Sequence, residues 1–195
     1  MREKAWIKCV PPDDATGTLA DAYESAYTPH GTVDNLMQAH SLRPHTMQGH
    51  ISLYKAVLHH PDNVLPAWFL EAIGTYTSIL NGCDYSLAHH AQNARVLLGG
   101  GEKSDAAIAA LRERSPERAF SGKYLALLDY VEKLTTDVAN MNAADIALLR
   151  DAGADDGEIL ETNQVCGYFN YVNRHLNGLG VATDGDVIGH YTDSS

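Results

Sequence analysis

Apolar residues along this chain recur at intervals of three and four, and no run of alternating apolar and polar positions bounded by turn residues is present. The pattern predicts a nearly all-helical protein. A first helix is expected over residues 18–27, after the Pro11-Pro12 lead, and a short one over 33–42. Pro44 suits a first helical position, and the segment it opens runs to His60, ahead of Pro61. Residues 64–80 carry Leu65, Trp68, Ile73, Tyr76 and Leu80 at helical spacing and stop at Asn81-Gly82. Residues 83–98 repeat the pattern with Leu87, Ala91, Ala94 and Leu98 and end at three glycines, so the two segments form a helical hairpin. Further helices are expected over 103–114, from Ser115-Pro116 to about Val138, and after two capping pairs, Asn142 with Asp145 and Asp155 with Glu158.

The last of these helices puts Ile159, Val165, Phe169, Val172 and Leu176 on one side, with Asn163, Cys166, Asn170 and Asn173 alongside. These asparagines, with Arg174, read as hydrogen bonds between helices or subunits, or as the lining of a polar pocket. From residue 182 the chain turns polar and acidic, which predicts a tail, 182–195, that is loosely held or docks on a partner subunit. No repeat or linker divides the sequence, so residues 1–195 read as one domain with its core over about residues 20–181.

Composition narrows the functional classes. With 25 acidic against 14 basic residues the formal charge is −11, which disfavours nucleic acid and anionic lipid as partners. The N-terminus lacks an apolar targeting segment and nowhere do about 18 apolar residues run together, so a cytoplasmic location is expected. Cys9, Cys83 and Cys166 are too few and too far apart for a disulfide framework, which fits reduced thiols. Ten histidines invite a metal reading, but His40, His45 and His50 are spaced off one helical face, and His59-His60 and His89-His90 are adjacent pairs that diverge. No metal or organic cofactor is expected.

The candidate chemistry lies in the stretch NGCDYSLAHH, residues 81–90. With Cys83 in the first helical turn, Ser86 and His90 fall with it inside an arc of about 60°, whereas His89 points elsewhere. A thiol at a helix start faces unpaired N–H groups, which predicts a lowered pKa and a reactive thiolate; the competing reading is an inert buried cysteine. His90 lies about 10 Å along the axis from Cys83 and about 6 Å from Ser86, so it is better placed to serve position 86. Glu71, on the preceding and otherwise apolar segment, can face the Ser86–His90 region across an antiparallel hairpin and accept a proton there. Tyr85 is a pocket wall or core.

Glu71, Cys83-Asp84-Tyr85-Ser86 and His90, with Ala91 and Ala94 behind them, resemble the core of the alkylhydroperoxidase D and carboxymuconolactone decarboxylase superfamily. The segments 125–134, 145–153 and 168–181 are similar to its peroxidase-related subgroup, so the resemblance spans most of residues 20–181. It implies an all-helical fold, assembly as a dimer, trimer or hexamer, and hydroperoxide reduction through a CxxC pair. In that chemistry a Glu and a His relay protons to the second cysteine, and an external thiol supplies electrons. Glu71, Cys83 and His90 carry over, but Ser86 stands where the second cysteine belongs. A hydroxyl is a poor nucleophile toward peroxide oxygen and closes no disulfide. The expected catalytic set is therefore Cys83 as the redox thiol, Ser86 as its hydrogen-bond partner, and Glu71 and His90 as the relay. Cys166 is a candidate resolver if the last helix packs on the hairpin. The alternatives are a redox-inactive scaffold or small-ligand binder, and a cofactor-free lyase like the decarboxylase branch.

Overall fold

The computed structural model describes residues 4–191, and every regular element among them is helical. The α-helices are α1 (Thr18–Glu24), α2 (Asn35–Ala39), α3 (Pro44–Leu58), α4 (Ala67–Leu80), α5 (Asp84–Leu97), α6 (Gly101–Arg112), α7 (Gly122–Thr136), α8 (Ala143–Asp151) and α9 (Asp156–Leu179). None is long and apolar enough to cross a membrane. Short 3-10 turns precede α1, α7 and α8.

The organising element is α4. Ten consecutive residues, from Phe69 to Ser78, are buried, so this helix is enclosed on all sides rather than along one stripe. It packs on α5, α9, α7, α6 and α3. Its hydroxyls survive burial by bonding back one turn: Thr75 donates to the Glu71 carbonyl at 2.8 Å, and Thr77 to that of Ile73 at 2.9 Å. Glu71 has no such local solution, and it is the only charged residue in the helix.

Gly74 sets how closely α9 can approach. A Cβ there would sit 2.2 Å from the Phe169 ring, so only glycine leaves room for the aromatic side chain against the α4 backbone. The same ring meets His90 edge-on, at a centroid distance of 4.5 Å and 89° between planes, and so links the α4–α9 contact to α5.

The expected capping boxes form at the starts of α8 and α9, with Asp145 and Glu158 bonding back to their N-cap residues. Other boundaries differ. The segment opened by Ser115-Pro116 is a 3-10 turn and a break before α7 begins at Gly122, whose φ of 56° and extended Ser121 do not continue a helix. Residues 64–66 are not helical, because Pro66 caps α4 from outside.

The polar tail departs most from expectation. Residues 181–191 are not loose; they cross the surface of their own chain as a strap, and residues 192–195 lie outside the described set. Asn35 donates to the carbonyls of Ala182 (2.8 Å) and Asp184 (3.1 Å), the His190 N–H reaches Asn93 Oδ1 at 2.6 Å, and Tyr191 pairs with His59 at 3.2 Å. Ordered polar partners on α2, α5 and the end of α3 hold a segment whose composition alone reads as loose.

The Gly74 contact gives a direct test. Gly74→Ala is expected to lower stability by about 1–3 kcal/mol through overpacking against Phe169, read as a lower urea midpoint. An unchanged midpoint would show that the ring moves aside freely.

Candidate functional site

The α4–α5 turn is a Schellman closure. Gly82 at φ 60° sends its N–H to Ile79, and the Cys83 N–H reaches back to the Ser78 carbonyl at 2.9 Å. Cys83 is therefore locked as the last residue of one motif and the N-cap of the next helix, one position ahead of α5.

The thiol does not have the character expected from that position. Its residue is 1% exposed, and burial pushes its pKa up; N–H groups of Ser86 and Tyr85 act in the opposite direction, while the Asp84 charge adds to the rise. Desolvation outweighs the helix terminus. This corrects the expectation of a thiolate near neutral pH.

Glu71 and His90 meet as the spacing predicts. His90 Nδ1 lies 2.6 Å from Glu71 Oε2, and Asn93, one turn further along α5, donates to Oε1 at 3.2 Å. Both oxygens of a carboxylate that is 1% exposed are thus partnered, as a buried charge requires. Nδ1 carries the proton toward the carboxylate, which leaves Nε2 as the acceptor. His90 lines a pocket, and that nitrogen is the one turned away from Glu71.

Ser86 is also on the pocket wall and buried. Its Oγ lies 2.8 Å from Ser78 Oγ, which in turn is 2.7 Å from the Gly74 carbonyl and accepts from Asn173 at 3.3 Å. The hydroxyl expected to partner Cys83 is engaged with Ser78 instead. Asn81 donates to Asn170 and Asn173, both at 3.1 Å, so these asparagines serve as hydrogen bonds between helices within the chain.

The pocket holds about 120 Å³ of space for water-molecule centres, an order of magnitude above the roughly 10–15 Å³ that one water needs. Its walls include Asp34, Tyr54, Ser86, His90, Tyr168 and His190. Neither Cys83 nor Glu71 is among its lining residues; Glu71 acts from behind His90.

The remaining cysteines do not join this site. Helix α9 does pack against α4, but the Cys166 thiol sits among Thr135 at 3.3 Å, Asn170 at 3.4 Å and Thr77 at 3.8 Å, and burial raises its pKa. All three cysteines are free.

Several pocket residues escape sequence reasoning. Asp34, Tyr54 and His190 come from three distant segments, and His89, which the helical wheel turns away from His90, reaches the same pocket. His40 and His50, read as divergent, meet: the His40 ring stacks on His175 at 4.2 Å and lies tilted against His50 at 5.0 Å. Burial lowers the pKa of all three, with His50 down to about 3 and His175 to about 4. No group of three or more His, Cys, Asp or Glu among the described residues is arranged to hold a metal ion.

The fold has well-matched counterparts among solved structures. An uncharacterized peroxidase-related protein from Silicibacter sp. aligns with a TM-score of 0.81 at 22% identity, covering 95% of this chain and 94% of its own. An alkylhydroperoxidase AhpD core protein from Ralstonia eutropha, also peroxidase-related and uncharacterized, aligns at 0.77 and 20% identity, covering 95% of each chain. The debrominase Bmp8 aligns at 0.71 and 16% identity over 91% of each chain, and a variant of it is known in complex with 2,3,4-tribromopyrrole. No family model matches the sequence, and no curated protein does. The chain therefore has the alkylhydroperoxidase D-like fold.

Burial of Cys83 predicts slow modification. Native alkylation with iodoacetamide at pH 7.5, followed at the Cys83 peptide by mass spectrometry, is expected to run about tenfold or more below the rate in the urea-unfolded chain. Equal rates would contradict the buried, unactivated thiol.

Proposed function

We propose that this chain belongs to the alkylhydroperoxidase D-like and carboxymuconolactone decarboxylase superfamily, and that its site carries out cofactor-free proton transfer on a small carbonyl compound. One observation carries the reading. The Glu71-oriented imidazole of His90 offers Nε2 to the pocket, while the cysteine stays out of it.

The roles follow from geometry. Nε2 takes a proton from a carbon next to the carbonyl, the C–H electron pair moves into the carbonyl to give an enolate, and the Glu71 carboxylate stabilises the imidazolium so formed. Return of the proton to another carbon isomerises the substrate; return from solvent exchanges hydrogen. If the carbon carries a carboxylic acid, Nε2 first takes the acid proton, loss of CO2 leaves the same enolate, and the imidazolium returns that proton to the carbon. Ser86, tied to Ser78, shapes the pocket floor beside the base.

A second reading, hydroperoxide reduction, is favoured by the N–H groups of Ser86 and Tyr85 directed at the Cys83 sulfur and by the peroxidase-related neighbours. In it the thiolate attacks the peroxide oxygen, the O–O bond breaks to release an alcohol, and Cys83 becomes a sulfenic acid. Two external thiols then reduce it to the thiol with release of water and a disulfide. The raised thiol pKa and the enclosure of Cys83 weigh against it.

The two are separable. Wild-type protein is expected to accelerate deuterium incorporation into cyclopentanone in D2O and isomerisation of α-angelica lactone, both read by 1H NMR. His90→Gln is expected to lose about 100-fold or more, the range of a general base, and Glu71→Gln less. Cumene hydroperoxide consumption with dithiothreitol is expected to stay at the level of Cys83→Ser. Peroxide turnover that vanishes in Cys83→Ser, with no proton exchange, would establish the second reading instead.

A further inference from the structure

Asp34 occupies the N-cap of α2, where an aspartate ordinarily accepts from the first backbone N–H groups of its helix. It makes no such bond. The Asn35 N–H goes to Asp186 Oδ1 at 3.0 Å, and the Leu36 N–H to the Tyr85 hydroxyl at 3.2 Å. The strap and α5 have taken over the cap. Asp34 Oδ1 is left buried without a partner among the described residues, on the wall of the pocket that His90 shares.

His89 is a second group in this condition. The Gly189 N–H approaches its Nδ1 at 3.4 Å, which assigns the ring proton to Nε2. The residue is 8% exposed and lines the pocket, and among the described residues Nε2 has no hydrogen-bond partner; the nearest carboxylate oxygen there, on Asp186, is 3.9 Å away. Its pKa is lowered by burial to about 4, so the ring is neutral and Nε2 is a donor.

We infer that Asp34, as a carboxylic acid, and His89 form the hydrogen-bond donor side of the pocket, which binds the carbonyl oxygen of a neutral, enolisable substrate while His90 removes the adjacent proton. This rests on the proton-transfer reading. The carboxylates of Glu71, behind His90, and Asp186, beside Tyr85, disfavour an anionic substrate, and Tyr54 and Tyr168 offer flat apolar walls to a small ring. As the C–H electron pair moves to oxygen, Asp34 shares or passes its proton to that oxygen and becomes a carboxylate; the reverse movement restores it, so charge and protons balance over the cycle.

The electrostatics are consistent with this role. Burial first, then the Asp186 charge, push the Asp34 pKa up to about 7, against a lowering influence of His90. The other titratable groups around the pocket are Asp186 and His190 on the strap, Tyr85, His89 and His90 on α5, His50, Tyr54 and Lys55 on α3, Tyr168 on α9 and Tyr27 in the segment after α1. Burial sends His50 to about 3 and raises Tyr54 and Tyr85 far above neutral. Asp186 is held as an acceptor by Tyr85 at 2.5 Å and by Asn35. A loss of activity between pH 6 and 9 that disappears on changing Asp34 alone is therefore attributable to that carboxyl.

The test is the pH dependence of cyclopentanone exchange in D2O for wild type, Asp34→Asn, Asp34→Leu and His90→Gln, with thermal melting to confirm folding. The active form keeps Asp34 protonated, so the wild-type rate falls as pH rises through about 7. Asp34→Asn, which retains an N–H donor and cannot titrate, is expected to flatten that limb, and Asp34→Leu to lose about tenfold or more at pH 6. A merely structural role would lower the rate equally at every pH. An Asp34→Leu rate within twofold of wild type, or an unchanged limb in Asp34→Asn, would overturn the assignment alone. Absence of exchange in wild type would overturn the proton-transfer reading along with it.

Discussion

A carboxylate buried at the centre of a helical bundle needs partners, and Glu71 dictates where they come from. An isolated charge in this interior would cost several kcal/mol, so α5 must present His90 and Asn93 to it in register with α4. The Schellman turn at Gly82 fixes that register within two residues of the helix ends. Gly74, one turn along α4, then admits Phe169, whose ring fixes the His90 imidazole from the α9 side. Packing, turn geometry and charge pairing thus converge on a single imidazole orientation, with one nitrogen toward Glu71 and the other toward the pocket.

Much of this was legible in residue spacing. The 3.6-residue period, the Asn-Gly stop and the three-residue and four-residue steps from Cys83 to Ser86 to His90 are local, and they brought out the hairpin, the Glu71–His90 pair and the all-helical fold. What remained hidden is non-local. Asp34, Tyr54, Tyr168 and His190 converge only through tertiary packing, and the strap depends on hydrogen bonds to Asn35 and Asn93 that no periodicity announces. The rings of His40 and His50 meet, with His40 stacked on His175, although the spacing of the first two points them apart. Cys83 shows the other limit: the helix start was legible, but the burial that overrides its dipole was not.

Ser86 marks where the chemistry of the fold turns. A hydroxyl in place of a thiol is drawn into the Ser78–Asn173 network, becoming part of the polar packing between α4, α5 and α9. The Glu71–His90 pair lies beside it, and His90 opens onto a pocket. Neighbours that share the fold include peroxidase-related proteins and a debrominase, and a single scaffold supporting several chemistries is common where the site rather than the fold sets function. Here an imidazole held by a buried carboxylate borders the pocket, while the Cys83 thiol is enclosed.

The measurement that separates these chemistries most directly is the cyclopentanone exchange rate of the folded Cys83→Ser variant at pH 6. A rate within about twofold of wild type is expected, because the thiol neither lines the pocket nor contacts the base. A loss of about tenfold or more, in a variant with unchanged melting behaviour, would contradict proton transfer by His90 alone and return the thiol to the centre of the mechanism.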